Sequence, residues 1–125
     1  MRVMRTFRRS MSLALLTLLT LAQLTSAHAA EVDNIRTWAA PDHVRVVFDL
    51  SDEAESSIFM LDDPRRLVVD LEDTRLAFDP GEVEPGDSAI EALRTGVRNG
   101  DDLRVVLDLG REVVPHHFML PPTDQ

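Results

Sequence analysis

The 125-residue chain has no cysteine, and its 13 basic side chains, all arginine, face 22 acidic ones. Without cysteine there is no disulfide framework and no thiolate metal site. A formal charge of −9 repels nucleic-acid phosphates and anionic lipid surfaces, so nucleic acid is not an expected partner. Residues 1–29 read as a cleaved export signal. Arg2, Arg5, Arg8 and Arg9 form a basic start, Met11 to Ala22 is apolar, and Ala27-His28-Ala29 is a small-x-small cleavage site. The apolar run is shorter than the about 20 residues that span a bilayer, so no transmembrane anchor is expected. Arg8-Arg9 suits twin-arginine export, although Phe7 stands where Ser or Thr is usual; a Sec signal containing two arginines fits as well. Cleavage leaves nine arginines against 22 acids, in a single small domain over residues 30–125 that buries about 60–65% of its unfolded surface.

The first expected strand is Glu31 to Ala39, followed by a turn at Pro41-Asp42-His43. Val44 to Leu50 is a clear strand, with Val44, Val46, Phe48 and Leu50 on one face and Arg45, Val47 and Asp49 on the other. Ser57 to Leu61 is a short strand, and Asp62-Asp63-Pro64-Arg65 a tight turn. Arg66 to Leu71 follows, with Leu67, Val69 and Leu71 toward the core and Arg66, Val68 and Asp70 facing out. Prolines and glycines between Phe78 and Ser88 break the pattern. Strands resume at Ile90 to Val97, with a capping-box pattern at Ser88 and Glu91 that allows a short helical turn over 88–94. Asn99-Gly100 is a hairpin signal, Leu103 to Leu109 a strand, and Val114 to Leu120 the last.

These elements repeat. Val44–Leu61 aligns without a gap on Leu103–Leu120, and nine of 18 positions are identical, among them Arg45/Arg104, Asp49/Asp108 and Phe59/Phe118. Val32 to Thr37 resembles Ile90 to Thr95 in the same way. The expectation is an all-β sandwich with pseudo-twofold symmetry, built from two antiparallel units at about 32–71 and 90–120 with a connector at about 72–89. The first unit ends in Arg66–Leu71, whereas the second stops after Leu120 without that strand. The sequence therefore reads as a fragment or truncated product, one strand short.

No catalytic constellation stands out: there is no His-Glu-x-x-His, Gly-x-Ser-x-Gly or phosphate-binding glycine loop. His43 sits in a turn, and His116 and His117, adjacent on an expected strand, point to opposite faces and cannot share a metal. The informative feature is the stripe Arg-Val-Asp on three outward faces: Arg45/Val47/Asp49, Arg66/Val68/Asp70 and Arg104/Val106/Asp108. Two uses are open. One is a cross-strand charge ladder, each pair contributing a few tenths of a kcal/mol. The other is a binding face for a polymer bearing carboxylates and amines, with guanidinium groups pairing bidentately. Trp38 is either half-buried core or a platform for a sugar ring.

Val32-x-x-Ile-Arg-Thr-Trp38, Pro41 to Leu50, Phe59-x-Leu61, Pro64-x-Arg-Leu-Val-Val-Asp-Leu71 and Leu103 to Leu109 resemble the AMIN domain. That is the N-terminal module of periplasmic N-acetylmuramoyl-L-alanine amidases, found also in secretins and other envelope proteins. The resemblance implies a periplasmic β-sandwich that binds peptidoglycan and places the enzyme at the division septum, near division-site envelope proteins. Its arginine-bearing strands fall on Arg45, Arg66 and Arg104, which with Asp49, Asp70, Asp108 and Trp38 are the binding candidates. It also implies a zinc-dependent catalytic domain in the parent enzyme; the zinc ligands of that domain are not found in this sequence, so no cofactor is expected here. The alternative is an envelope assembly domain that binds a protein through an open sheet edge. Removing Arg45 and Arg104 together is expected to weaken wall binding and leave the fold intact.

Overall fold

The computed structural model describes residues 28–84 and 89–121; the expected export signal lies almost wholly outside them. Seven strands form: β1 (Ala30–Ala39), β2 (Val44–Leu50), β3 (Ser56–Leu61), β4 (Arg66–Leu71), β5 (Thr74–Leu76), β6 (Ile90–Arg98) and β7 (Asp102–Leu109), with a short 3-10 turn at Pro80–Glu82. They make two sheets, ordered β2-β1-β5 and β3-β4-β7-β6. Every sheet neighbour is antiparallel except β1 and β5. No helix among the described residues is long and apolar enough to cross a membrane.

One core lies between the sheets. Val32 and Ile35 of β1 meet Val69, Leu71, Ile90, Leu103, Val105, Leu107 and Leu109, and Val44, Val46, Phe48 and Leu50 pack against them. Strand alternation explains which side chains enter. β7 alternates half-buried and buried along its whole length, its apolar set pointing inward and its Arg-Val-Asp set outward. Each fully enclosed valine or leucine stabilises the fold by about 1.5–3 kcal/mol relative to exposure.

The hairpins β1–β2 and β6–β7 share a register. In each, the ladder slips at one place, between Val32 and Asn34 and between Ile90 and Ala92. Beyond the slip, Arg36 faces Val47 as Arg94 faces Val106, and Trp38 faces Arg45 as Gly96 faces Arg104. The β6–β7 turn holds Asn99 and Gly100 at positive φ, 53° and 82°, the left-handed conformation that these two residues accept most readily.

Four local expectations need correction. Residues 90–94 are strand, not helical turn: pairing with β7 satisfies their backbone, and the buried Ile90 anchors them to the core. Ser88 lies outside the described residues. Val114 to Leu120 does not form a strand; its counterpart β3 is a strand because β4 pairs with it, and no ladder partner stands beside 114–120 among the described residues. His116 and His117 are accordingly exposed coil. Val68 and Asp70 point away from the core, yet they are 2% and 4% exposed, covered by neighbours on the sheet's outer face. Finally, the connector contains β5, which pairs in parallel with β1. Three residues are too few for alternation to reveal; Thr74 is fixed by its hydroxyl on the Glu72 carbonyl at 2.7 Å and its amide on that of Asp101 at 3.1 Å.

Candidate functional site

The strand registers bring the sequence candidates together in two groups, one on the outer face of each sheet. On the four-stranded sheet, Ser57, Asp70, Arg104 and Gly96 form one cross-strand row; Phe59, Val68, Val106 and Arg94 form the next, and Leu61, Arg66, Asp108 and Ala92 a third. Antiparallel pairing of two Arg-Val-Asp strands puts Arg66 opposite Asp108 and Asp70 opposite Arg104.

Asp70 is the centre of this face. Arg104 donates Nε to its Oδ1 at 2.7 Å and Nη2 to Oδ2 at 2.8 Å, and Arg98 adds Nη1 at 3.1 Å. The hydrogen bonds from Arg104 hold the Asp70 carboxyl below its ordinary value against burial, which pushes the other way; the nearby Arg104 and Arg98 charges add to the lowering. The same bonds raise the pKa of Arg104. Its guanidinium carbon also lies 5.5 Å from the centre of the Phe59 ring. Arg94 grips Asp108 with Nε and Nη2, each at 2.8 Å, and lowers its pKa; burial opposes this, and the charges of Arg94 and Arg66 assist it. Arg66 itself donates Nε to the Pro64 carbonyl at 2.9 Å. On this sheet Asp70, Arg104 and Asp108 are thus committed to ion pairs within the fold, and Arg66 lends its charge to Asp108.

The three-stranded sheet repeats one of these pairs and changes the other. Arg36 grips Asp49 with Nε and Nη2, each at 2.8 Å, as Arg94 grips Asp108. The Arg36 guanidinium carbon also stands 5.1 Å from the centre of the Trp38 ring. Trp38 remains 48% exposed. Opposite it across the ladder is Arg45, which is exposed and whose side chain makes no hydrogen bond or ion pair among the described residues. Among the described residues, the repeated arginine is therefore locked in one sheet and free in the other. The position that is glycine beside Arg104 is an indole beside Arg45.

The chemistry of this second face is that of a saccharide or carboxylate platform. A half-exposed indole offers an apolar face, Arg36 is held upright by Asp49, and Arg45, unpaired among the described residues, offers guanidinium donors that suit a carboxylate. Sequence reasoning named Trp38, Arg45 and Asp49 but overlooked Arg36, Arg94 and Arg98. The first two were legible: they occupy equivalent positions in the repeat, one strand away from the repeated aspartates. Among the described residues no group of three or more His, Cys, Asp or Glu side chains stands close enough to hold a metal ion. His43 instead lies with Nδ1 2.8 Å from Oδ1 of Asp42, and this hydrogen bond holds the exposed Asp42 carboxyl below its ordinary value.

The family model of the AMIN domain matches residues 34–125. The chain belongs to the AMIN domain family. It is also 29% identical over 109 residues to the N-acetylmuramoyl-L-alanine amidase AmiC of Escherichia coli O6:H1, a match that covers 84% of this chain and 26% of AmiC. This AMIN domain therefore spans about a quarter of the length of that relative, and both candidate faces lie within the family match or just at its border.

Proposed function

We propose that this AMIN domain is an exported, periplasmic module that binds peptidoglycan and carries a cell-wall amidase to the division septum, where daughter cells separate. The observation that carries the proposal is the pairing of Trp38 with Arg45 on an outer sheet face, the indole 48% exposed and the guanidinium without a partner among the described residues. Peptidoglycan supplies sugar rings for the indole and stem-peptide carboxylates for the arginine. The kinship with an amidase supports the same reading. Hydrolysis of the bond between muramic acid and L-alanine, and the zinc it uses, would belong to a separate catalytic domain. The shared register of β1–β2 and β6–β7 supports reading the domain as two units related by pseudo-twofold symmetry.

The test is co-sedimentation with purified sacculi. Trp38→Ala with Arg45→Ala is expected to lower the retained fraction at least several-fold without moving the melting temperature, since both side chains are exposed. Arg104 is unsuited to this test because its removal strips Asp70. Unchanged retention of a folded Trp38→Ala/Arg45→Ala variant would place wall binding elsewhere or nowhere on the domain.

A further inference from the structure

We propose that the Trp38–Arg45 face selects glycan from which the stem peptide has been removed. A hexopyranose stacks on the free side of the indole, and the carboxylate on its own ether arm lies in the fork of Arg45. This inference rests on wall binding at this face and deepens it, assigning the carboxylate to the sugar and not to the stem peptide.

The first argument is which side of the indole is open. On the outer face of the three-stranded sheet, Asn34 stands opposite Asp49, Arg36 opposite Val47 and Trp38 opposite Arg45. Arg36 is tied to Asp49 by two bonds of 2.8 Å, and its guanidinium carbon stands 5.1 Å from the indole centre. It therefore covers the ring from the Asp49 end. The other side turns toward the hairpin end, where the next residue on the same side of the chain is Ala40. The Ala40 amide donates to the His43 carbonyl at 2.8 Å, which carries the ladder one pair past Ala39 and Val44 and sets His43 on the outer face with Arg45. His43 in turn engages the Asp42 carboxylate, with Nδ1 2.8 Å from Oδ1, so the acid nearest the slot already has a partner. The slot is bounded by an indole face, a methyl group and a guanidinium with no side-chain partner among the described residues.

The second argument is span. Opposed side chains on antiparallel strands start about 4.5–5.5 Å apart at Cβ, so ring and carboxylate must come from one compact group. A muramic acid residue becomes such a group when its amide to L-alanine is hydrolysed. Water adds across the C–N bond, the amine leaves with L-alanine, and the lactyl carbon keeps a carboxylate on a short ether arm of the ring. In the uncut wall that carbon is a neutral amide, which cannot form a charge-assisted bidentate pair. The first stem carboxylate lies beyond L-alanine, farther from the ring by at least one extended residue of about 3.3–3.6 Å.

The third argument is the contrast between sheets. Arg104 stands opposite Gly96, with no indole beside it, and is closed by Asp70. Ring platform and open guanidinium coincide at Trp38 and Arg45, as a ligand that carries both groups requires. A module that binds the product of amide hydrolysis would gather its enzyme where cutting has begun.

Trp38 is the sole tryptophan of the chain, so its emission reports the site directly. The protein is titrated with N-acetylmuramic acid, with N-acetylmuramoyl-L-alanyl-D-glutamate, which carries stem carboxylates alone, and with N-acetylglucosamine, which carries none. The expected result is a saturable change in emission with N-acetylmuramic acid, at an affinity about tenfold above the other two. Arg45→Gln should erase that advantage. In parallel, sacculi stripped by a cell-wall amidase should retain more protein than untreated sacculi. The proposal is overturned if the stem-bearing compound binds as well as N-acetylmuramic acid, or if untreated sacculi retain as much as stripped ones; wall binding itself survives either result. It is also overturned if sacculi retain the protein while none of the three compounds moves the Trp38 emission. Absence of retention on both preparations removes this inference and wall binding together.

Discussion

Replacing Asp70 by asparagine removes one charge and almost no volume, and it tests whether the outer face of the four-stranded sheet is structural. Asp70 is 4% exposed and accepts three hydrogen bonds from Arg104 and Arg98. A bond to a charged group contributes about 1.5–3 kcal/mol, against about 0.5–1.5 kcal/mol for a neutral one, so neutralising the acceptor costs roughly 1 kcal/mol per bond. The side chains of Arg98 and Arg104 are 47% and 35% exposed and can recover part of that from water. The net expectation is a loss of about 2 kcal/mol, or about 8–16 °C in melting temperature for a domain of this size. The pH dependence has a definite sign. The folded pKa of Asp70 lies below its ordinary 3.8, so the carboxylate's contribution is complete above the unfolded-state value and fades as pH falls through the folded one. Melts of wild type and Asp70→Asn should thus differ most near neutral pH, and the gap should narrow steadily below 3.8. Equal melting temperatures near neutral pH would refute the reasoning, as would a gap that persists undiminished in strong acid.

The two copies of the repeated arginine should behave differently: Arg104→Ala is expected to destabilise by about 2 kcal/mol because it leaves Asp70 buried with one weaker partner, whereas Arg45→Ala should melt with wild type. Denaturant unfolding of both variants checks this, and equal losses would contradict the contrast. Leu107, 2% exposed in the core, is expected to cost about 2–4 kcal/mol as Leu107→Ala, seen as a lower midpoint in guanidinium chloride. Sacculus binding through Arg45 should weaken as sodium chloride is raised, because exposed charges are screened within about 3 Å at 1 M salt; retention that ignores salt would point to stacking on Trp38 alone.

Much of the fold was legible because β strands write their burial into alternation. β2 and β4 have the limits read from their patterns, and β7 differs by one residue at its start. The turn at Asn99-Gly100 was legible because few other residues accept two successive positive φ values. The failures share a cause, namely pairing that no local pattern encodes. β5 exists only because β1 lies parallel to it. Segment 114–120 carries a good strand sequence and remains coil because a strand needs a neighbour. The same holds for the candidate site. Alternation placed Arg45, Arg66 and Arg104 outward correctly, but only the register shows that Arg104 meets Asp70 while Arg45 meets Trp38.

That difference bears on how one motif came to hold two roles. In β4 and β7 the antiparallel juxtaposition of Arg-Val-Asp with itself is self-complementary: each arginine meets an aspartate and each valine a valine. Asp70 and Arg104 close on each other and Arg94 closes Asp108, which leaves little for a ligand. Among the described residues, β2 carries the motif beside β1 and not beside a second copy. Its aspartate is satisfied by Arg36 from the neighbouring strand, and the side chain of its arginine has no partner among the described residues. A carboxylate that binds at Arg45 must supply what Asp70 supplies to Arg104: two oxygens in the plane of the guanidinium.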